Sequence, residues 1–222
     1  MNDPKLKVII FDLDGTIVDA YWPIFKSFNH VMRELGLPLK EDSIVRRSVG
    51  WGEKVLFKPF VGERDLDKAL KIYRRHHIRA LKSGVKFLPG AKAVLEFLAK
   101  RNYILTVASN RPTYSTRIIA RRLKMEKYFK YIICADKIKK FKPHPGLLQN
   151  ILKKFSVSPS QALYVGDMAL DVQTGRRAKV KTVAVLTGSS TRKEISRDKP
   201  FKIIRNVSHL SGIILKLEAE KS

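Results

Sequence analysis

Phe11-Asp12-Leu13-Asp14-Gly15-Thr16-Ile17-Val18-Asp19 (FDLDGTIVD) follows directly on the apolar run Val8-Ile9-Ile10. A short, unbroken apolar run of this kind reads as a strand buried on both faces of a parallel sheet. It ends on two carboxylates at alternate positions, and strand alternation starts Asp12 and Asp14 on one face with Leu13 opposite. Like charges this close raise each other's pKa unless positive charge lies between them. A divalent metal or a phosphate site would supply it, and the flanking sequence holds the remaining parts.

Downstream the period changes. Ile24, Phe25, Phe28, Val31, Met32 and Leu35 recur at helical spacing, with Gly36 and Pro38 as the stop. Asp42 and Ser43 suit a second helix start, Gly50-Trp51-Gly52 a loop. Asp65 opens a long helical stretch carrying Leu66, Ala69, Leu70, Tyr73, His77, Ala80 and Leu81. Beyond Pro89-Gly90, strands (Tyr103–Ala108, Tyr131–Cys134, Ala162–Val165, Thr182–Val185) alternate with helices (Thr113–Leu123, Pro145–Phe155, Asp171–Ala178). That alternation predicts an α/β fold, a doubly wound parallel sheet. The expected division is a core of residues 1–16 and 86–222, interrupted by an α-helical cap over 17–85, roughly the size of a small inserted domain.

Composition bounds the rest. With 222 residues, 44% of them hydrophobic, the chain can bury a sizeable core. Its single cysteine, Cys134, excludes an intramolecular disulfide framework and fits a reducing compartment. No signal-like or membrane-spanning apolar stretch is present, so a cytoplasmic protein without membrane partners is expected. A net charge of +25 favours anionic partners, whether phosphorylated metabolites or nucleic acid. The basic clusters lack the aromatic interleaving or zinc spacing of a nucleic-acid module. Composition says nothing about oligomeric state.

In open α/β sheets, ligands sit beyond the carboxyl ends of the strands. The first strand ends in Asp12 and Asp14, and Tyr103–Ala108 in Ser109 and Asn110. The Tyr131 strand is followed, past a basic loop, by Lys142, and Ala162–Val165 by Gly166 and Asp167, with Asp171 four residues on. The four carboxylates would form an oxygen-rich site for a hard cation that keeps several waters, which fits Mg²⁺. Ser109 and Lys142 offer a hydroxyl and a point positive charge to a phosphoryl group. Ser109 and Asn110 also fit a cap for the helix at Thr113. His76 and His77 have no matching ligands and read as structural, and Trp51 suits either core packing or a specificity loop.

FDLDGT, VASN, FKP and GDMALD, in this order and spacing, resemble the four motifs of the haloacid dehalogenase (HAD) superfamily, and most closely its phosphoglycolate phosphatase-like branch. The resemblance spans essentially the whole chain. It implies a Mg²⁺-dependent phosphatase for a small phosphorylated metabolite, with Asp12 as nucleophile and Asp14 as general acid and base. It places Gly15, Thr16, Ser109, Asn110 and Lys142 around the phosphoryl group. Metal would be held by Asp12, the Asp14 backbone carbonyl and Asp167, with Asp171 as a ligand or behind them. In related sugar-phosphate mutases an arginine placed like Arg47 reaches the substrate's distal anion, so Arg47 is a further candidate. The rival readings are a β-phosphoglucomutase-like mutase, which shares the core, and a basic nucleic-acid-binding protein of the same fold. Asp14 argues against a haloalkanoate dehalogenase, and it fits a phosphatase better than a phosphonate hydrolase.

Overall fold

The structure, a computed structural model, describes residues 5–220. In chain order, β1 (Val8–Phe11) leads to a two-residue strand β2 (Val18–Asp19), then α1 (Tyr21–Glu34), α2 (Asp42–Ser48), α3 (Glu53–Phe57) and α4 (Glu63–Gly84). β3 (Lys86–Phe87), α5 (Ala91–Lys100), β4 (Ile104–Ser109), α6 (Thr113–Arg122), β5 (Phe129–Cys134) and α7 (Ala135–Ile138) follow. The last stretch holds α8 (Gly146–Lys154), β6 (Ala162–Gly166), α9 (Ala169–Ala178), β7 (Lys181–Val185), α10 (Arg192–Arg197), β8 (Lys202–Ile204) and α11 (Leu210–Ala219).

Six strands form one parallel sheet in the order β5-β4-β1-β6-β7-β8. β1 lies inside it, with Val8 beside both Ile104 and Ala162. The side chains of β1 divide by alternation. Ile9 and Phe11 join the apolar cluster that holds Leu95 and Leu98 of α5 and Ile214 of α11. Val8 and Ile10 join the one that holds Leu147, Leu148 and Ile151 of α8. Helices therefore cover both faces, as the unbroken apolar run requires. The strand order reverses between β1 and β6, and in such sheets the crevice at that switch point takes the ligand.

α1 to α4 all fall between β2 and β3, which pair antiparallel, Val18 with Phe87 and Asp19 with Lys86. α1 buries Ile24, Phe28, Val31 and Met32 and ends in a Schellman closure, Leu37 N–H donating to the Met32 carbonyl at 2.8 Å. α4 buries Leu70, Tyr73, His77 and Leu81 along one face. Phe28 stacks on Phe57 with centroids 5.0 Å apart, which ties α3 into the same packing. The strands β2, β3 and β8 and the helices α3, α7, α10 and α11 are additions to the sequence reading, α7 falling in the segment expected to be a basic loop. No described helix is long and apolar enough to cross a membrane.

Candidate active site

β1 delivers Asp12 to the switch point, where the Asp12 N–H still donates to the Val165 carbonyl of β6 at 2.8 Å. The chain then turns sharply. The Leu13 carbonyl accepts from Ile17 and Val18 N–H at 3.1 and 3.0 Å, and Gly15 sits at φ +79°. A Cβ on Gly15 would lie 2.6 Å from the Tyr21 hydroxyl and 2.7 Å from Asp167, so a side chain is excluded by space as well as by backbone angle.

This turn separates the two carboxylates that strand alternation would keep together. Asp12, Asp167 and Asp171 bring carboxylate oxygens within 4.8 Å of one another. The Asp14 side chain, expected among them, offers no oxygen to this cluster. Its carboxylate is forked by Arg111, Nε to Oδ2 at 2.7 Å and Nη2 to Oδ1 at 2.9 Å. The backbone reversal at Gly15 is the physical reason.

Lys142 reaches the cluster from the loop after α7. Its ammonium lies 2.8 Å from Asp12 Oδ1 and 2.6 Å from Asp171 Oδ1. Asn110, expected near phosphate, accepts from the Lys142 N–H at 2.8 Å and donates to the Gly50 carbonyl at 3.0 Å. It thereby ties the lysine loop to the α2–α3 turn. Ser109 accepts from the Arg111 N–H at 3.2 Å. Thr16 donates to Asp167 Oδ1 at 2.8 Å, so its hydroxyl orients a carboxylate.

Asp171 is the most heavily bonded of the acids. Oδ2 accepts from the Asp167 and Met168 N–H groups at 3.1 and 3.0 Å, capping α9, while Oδ1 accepts from Lys142 and the Tyr164 hydroxyl, each at 2.6 Å. With four donors already in place, it orients Lys142 more readily than it serves a cation. Asp167 is less encumbered, and a Cβ on Gly188 would collide with its carboxylate, so backbone approaches it closely there.

Burial lifts Asp12 to about 6; the Lys142 charge pulls the other way, and Asp171 and Asp14 add to the rise. Burial, then the Asp171 and Asp12 charges, holds Asp167 well above the carboxylate range. Burial opposes the charge on Lys142, but Asp12 and Asp171 outweigh it and keep the ammonium protonated beyond its usual range. Fully ionised, the three clustered carboxylates would leave two negative charges uncompensated by the one ammonium, which is why burial without a cation favours their protonation. Asp12 Oδ1 also receives no well-directed hydrogen bond. An all-oxygen donor set with this deficit fits a hard divalent cation.

A pH dependence follows in metal-free protein. Asp12 binds its proton more tightly folded than unfolded, so the stability it contributes is present below its ordinary 3.8 and is lost as pH rises through about 6. Between those values wild type should lose stability relative to Asp12→Asn, measured as urea midpoints in EDTA. A gap that moves the other way contradicts the electrostatics described above.

Three participants lie outside the motif reading. Tyr164 is hidden inside an apolar strand. Arg111 directly follows Ser109-Asn110. Ser189, whose N–H donates to Asp167 Oδ2 at 3.3 Å, follows the end of β7. The strand-end rule, carried one strand further to Thr187-Gly188-Ser189, finds the last of them.

Arg47, expected at a distal substrate anion, has other partners. Its guanidinium bonds Glu194 at 2.6 and 3.0 Å and the Ser189 carbonyl at 2.7 Å. Hydrogen bonding from Arg47, then from Thr191, pulls Glu194 down to about 2. Arg47 does not line the cleft over Asp12, whose walls include Asp14, Ser109 and Arg111 on one side and Val49, Leu56 and Tyr73 on the other. The cleft volume is about 50 Å³, room for a few waters.

Residues 9–185 match the family profile described as haloacid dehalogenase-like hydrolase. Phosphoglycolate phosphatase of Pseudomonas syringae pv. tomato is 30% identical, over 96% of this chain and 82% of its own. Pyrophosphatase PpaX of Oceanobacillus iheyensis is 28% identical, over 95% of this chain and 97% of its own. A crystal structure described as a predicted phosphoglycolate phosphatase from Haemophilus somnus 129pt superposes with a TM-score of 0.88 at 25% identity, covering 95% of this chain and 98% of that one. A profile match this long, laid over a switch-point cluster of Asp12, Lys142 and Asp167, makes the chain a member of the haloacid dehalogenase-like hydrolase family.

Proposed function

We propose that the protein is a Mg²⁺-dependent phosphatase acting on a small phosphomonoester through an aspartyl-phosphate. The carrying observation is Asp12, a buried carboxylate at the switch point, held on Lys142 and edging a cleft. Relatives named phosphoglycolate phosphatase and pyrophosphatase support hydrolysis at phosphorus.

In this reading Asp12 attacks phosphorus as the bond to the leaving oxygen breaks. Asp14 gives that oxygen a proton, then takes one from the water that attacks the aspartyl-phosphate. This second transfer returns Asp12 and frees phosphate. Lys142 keeps Asp12 anionic against burial and balances charge on the phosphoryl oxygens. Mg²⁺, held by Asp12, Asp167 and the Asp14 backbone carbonyl, supplies further positive charge to those oxygens when bound. The segment α1–α4 forms the far wall of the cleft, with Leu56 and Tyr73, and serves as a cap that excludes water.

The test is a screen of phosphorylated metabolites for inorganic phosphate, run with Mg²⁺ and with excess EDTA. Phosphate release that vanishes with chelator and returns with Mg²⁺ is expected. Isomerised sugar phosphate without phosphate release would favour the mutase, and activity that survives dialysis against EDTA would remove the metal.

A further inference from the structure

Arg111 is 8% exposed and lines the cleft together with Asp12 and Asp14. Its Nε and Nη2 hold both oxygens of Asp14, and Nη1 lies 3.0 Å from His77 Nε2. Burial, then the Arg111 charge, keeps the His77 pKa well below the usual range. A guanidinium only donates, so His77 Nε2 accepts and its proton sits on Nδ1. Nδ1 faces Ser27 Oγ at 3.2 Å, while that hydroxyl donates to the Pro23 carbonyl at 2.7 Å. His77 is therefore a neutral rest for the guanidinium, and Asp14 is the carboxylate on it.

A carboxylate forked on both oxygens cannot at the same time reach a leaving-group oxygen, because geometry precedes proton transfer. Resting on the phosphatase reading above, we propose that Arg111 is the substrate-selecting residue: it exchanges Asp14 for a second oxyanion carried by the leaving group. The ligand class is a small phosphoester whose leaving group bears a carboxylate or another phosphoryl group. Binding the right substrate then frees Asp14 toward the ester oxygen. A substrate without the second anion leaves Asp14 clamped.

The experiment compares kcat/KM for 2-phosphoglycolate and pyrophosphate with that for 2-hydroxyethyl phosphate, of similar size but with an uncharged leaving group. Wild type should favour at least one of the anionic substrates by about ten- to a hundredfold, the range of a desolvated charge-assisted contact. The larger of the two ratios separates carboxylate from phosphoryl recognition. Arg111→Gln should collapse the ratio to within about threefold, Arg111→Lys should restore part of it, and Arg47→Ala should leave it as in wild type. The wild-type comparison stands even where a variant fails to fold. A wild type with no preference, an Arg111→Gln that loses rate on all substrates with its ratio intact, or a ratio that collapses in Arg47→Ala overturns the assignment. Release of phosphate from none of these, nor from an aryl phosphate, sinks the phosphatase reading itself and this assignment with it.

Discussion

Asp12→Asn is expected to lose turnover by a factor on the order of 10⁴ or more, the scale of removing a covalent nucleophile. An amide cannot form the acyl-phosphate, and nothing else in the cluster stands where Asp12 does. The fold should survive. Lys142 keeps Asp171 as a partner at 2.6 Å, and one buried negative charge is removed from a cluster that has too many. Phosphate release, the melting temperature and an acid-quench search for phosphorylated protein check the three parts. Activity above about a tenth of wild type, or a phosphoprotein formed by the variant, would remove Asp12 from the mechanism.

Lys142→Met should cost less turnover but more stability, by a different route. It strips the ammonium from Asp12 and Asp171 together, leaving two buried carboxylates facing each other. Breaking a buried ion pair from one side costs about 3–5 kcal/mol, a melting shift on the order of 10 °C for a chain this long. Turnover should fall by about 10²–10³, the range for losing one donor aimed at transition-state charge. The damage should depend on pH. Without its ammonium, Asp12 holds a proton more tightly still, so the gap to wild type should be widest above pH 7 and narrow toward pH 5. A stability loss independent of pH would mean that Lys142 contributes packing alone.

Much of this was legible because the chemistry sits at strand ends. The inner strands of the sheet are buried on both faces, so Val8–Phe11 and Val183–Val185 read as unbroken apolar runs, and whatever follows them stands at the crevice. Asp12, Lys142 and Asp167 come from that rule. What escaped it obeys no periodicity. The strands β2 and β3 are two residues each, below the length at which alternation exists. In the sequence Arg111 is one of many basic residues; only its fork on Asp14 singles it out. The separation of Asp14 from Asp12 depends on the path of the turn at Gly15, and Glu194, far along the chain, decides the orientation of Arg47.

The interior position of β1 also sets an order of events at the ribosome. Val8–Phe11 is made well before its neighbours in the sheet, Ile104–Val107 and Ala162–Val165. The helices α1 to α4 come between and can pack on one another locally, as Phe28 does on Phe57 and Phe57 on Tyr73. A nascent chain therefore carries a naked, strongly β-prone segment until both neighbouring strands have been made, while the helices between can already pack. The residues flanking that segment, Lys5 and Lys7 before it and Asp12 and Asp14 after it, are charged in the way that keeps such a strand from pairing with copies of itself. Asp12 and Asp14 thus guard the unfinished chain before they line the cleft of the finished one.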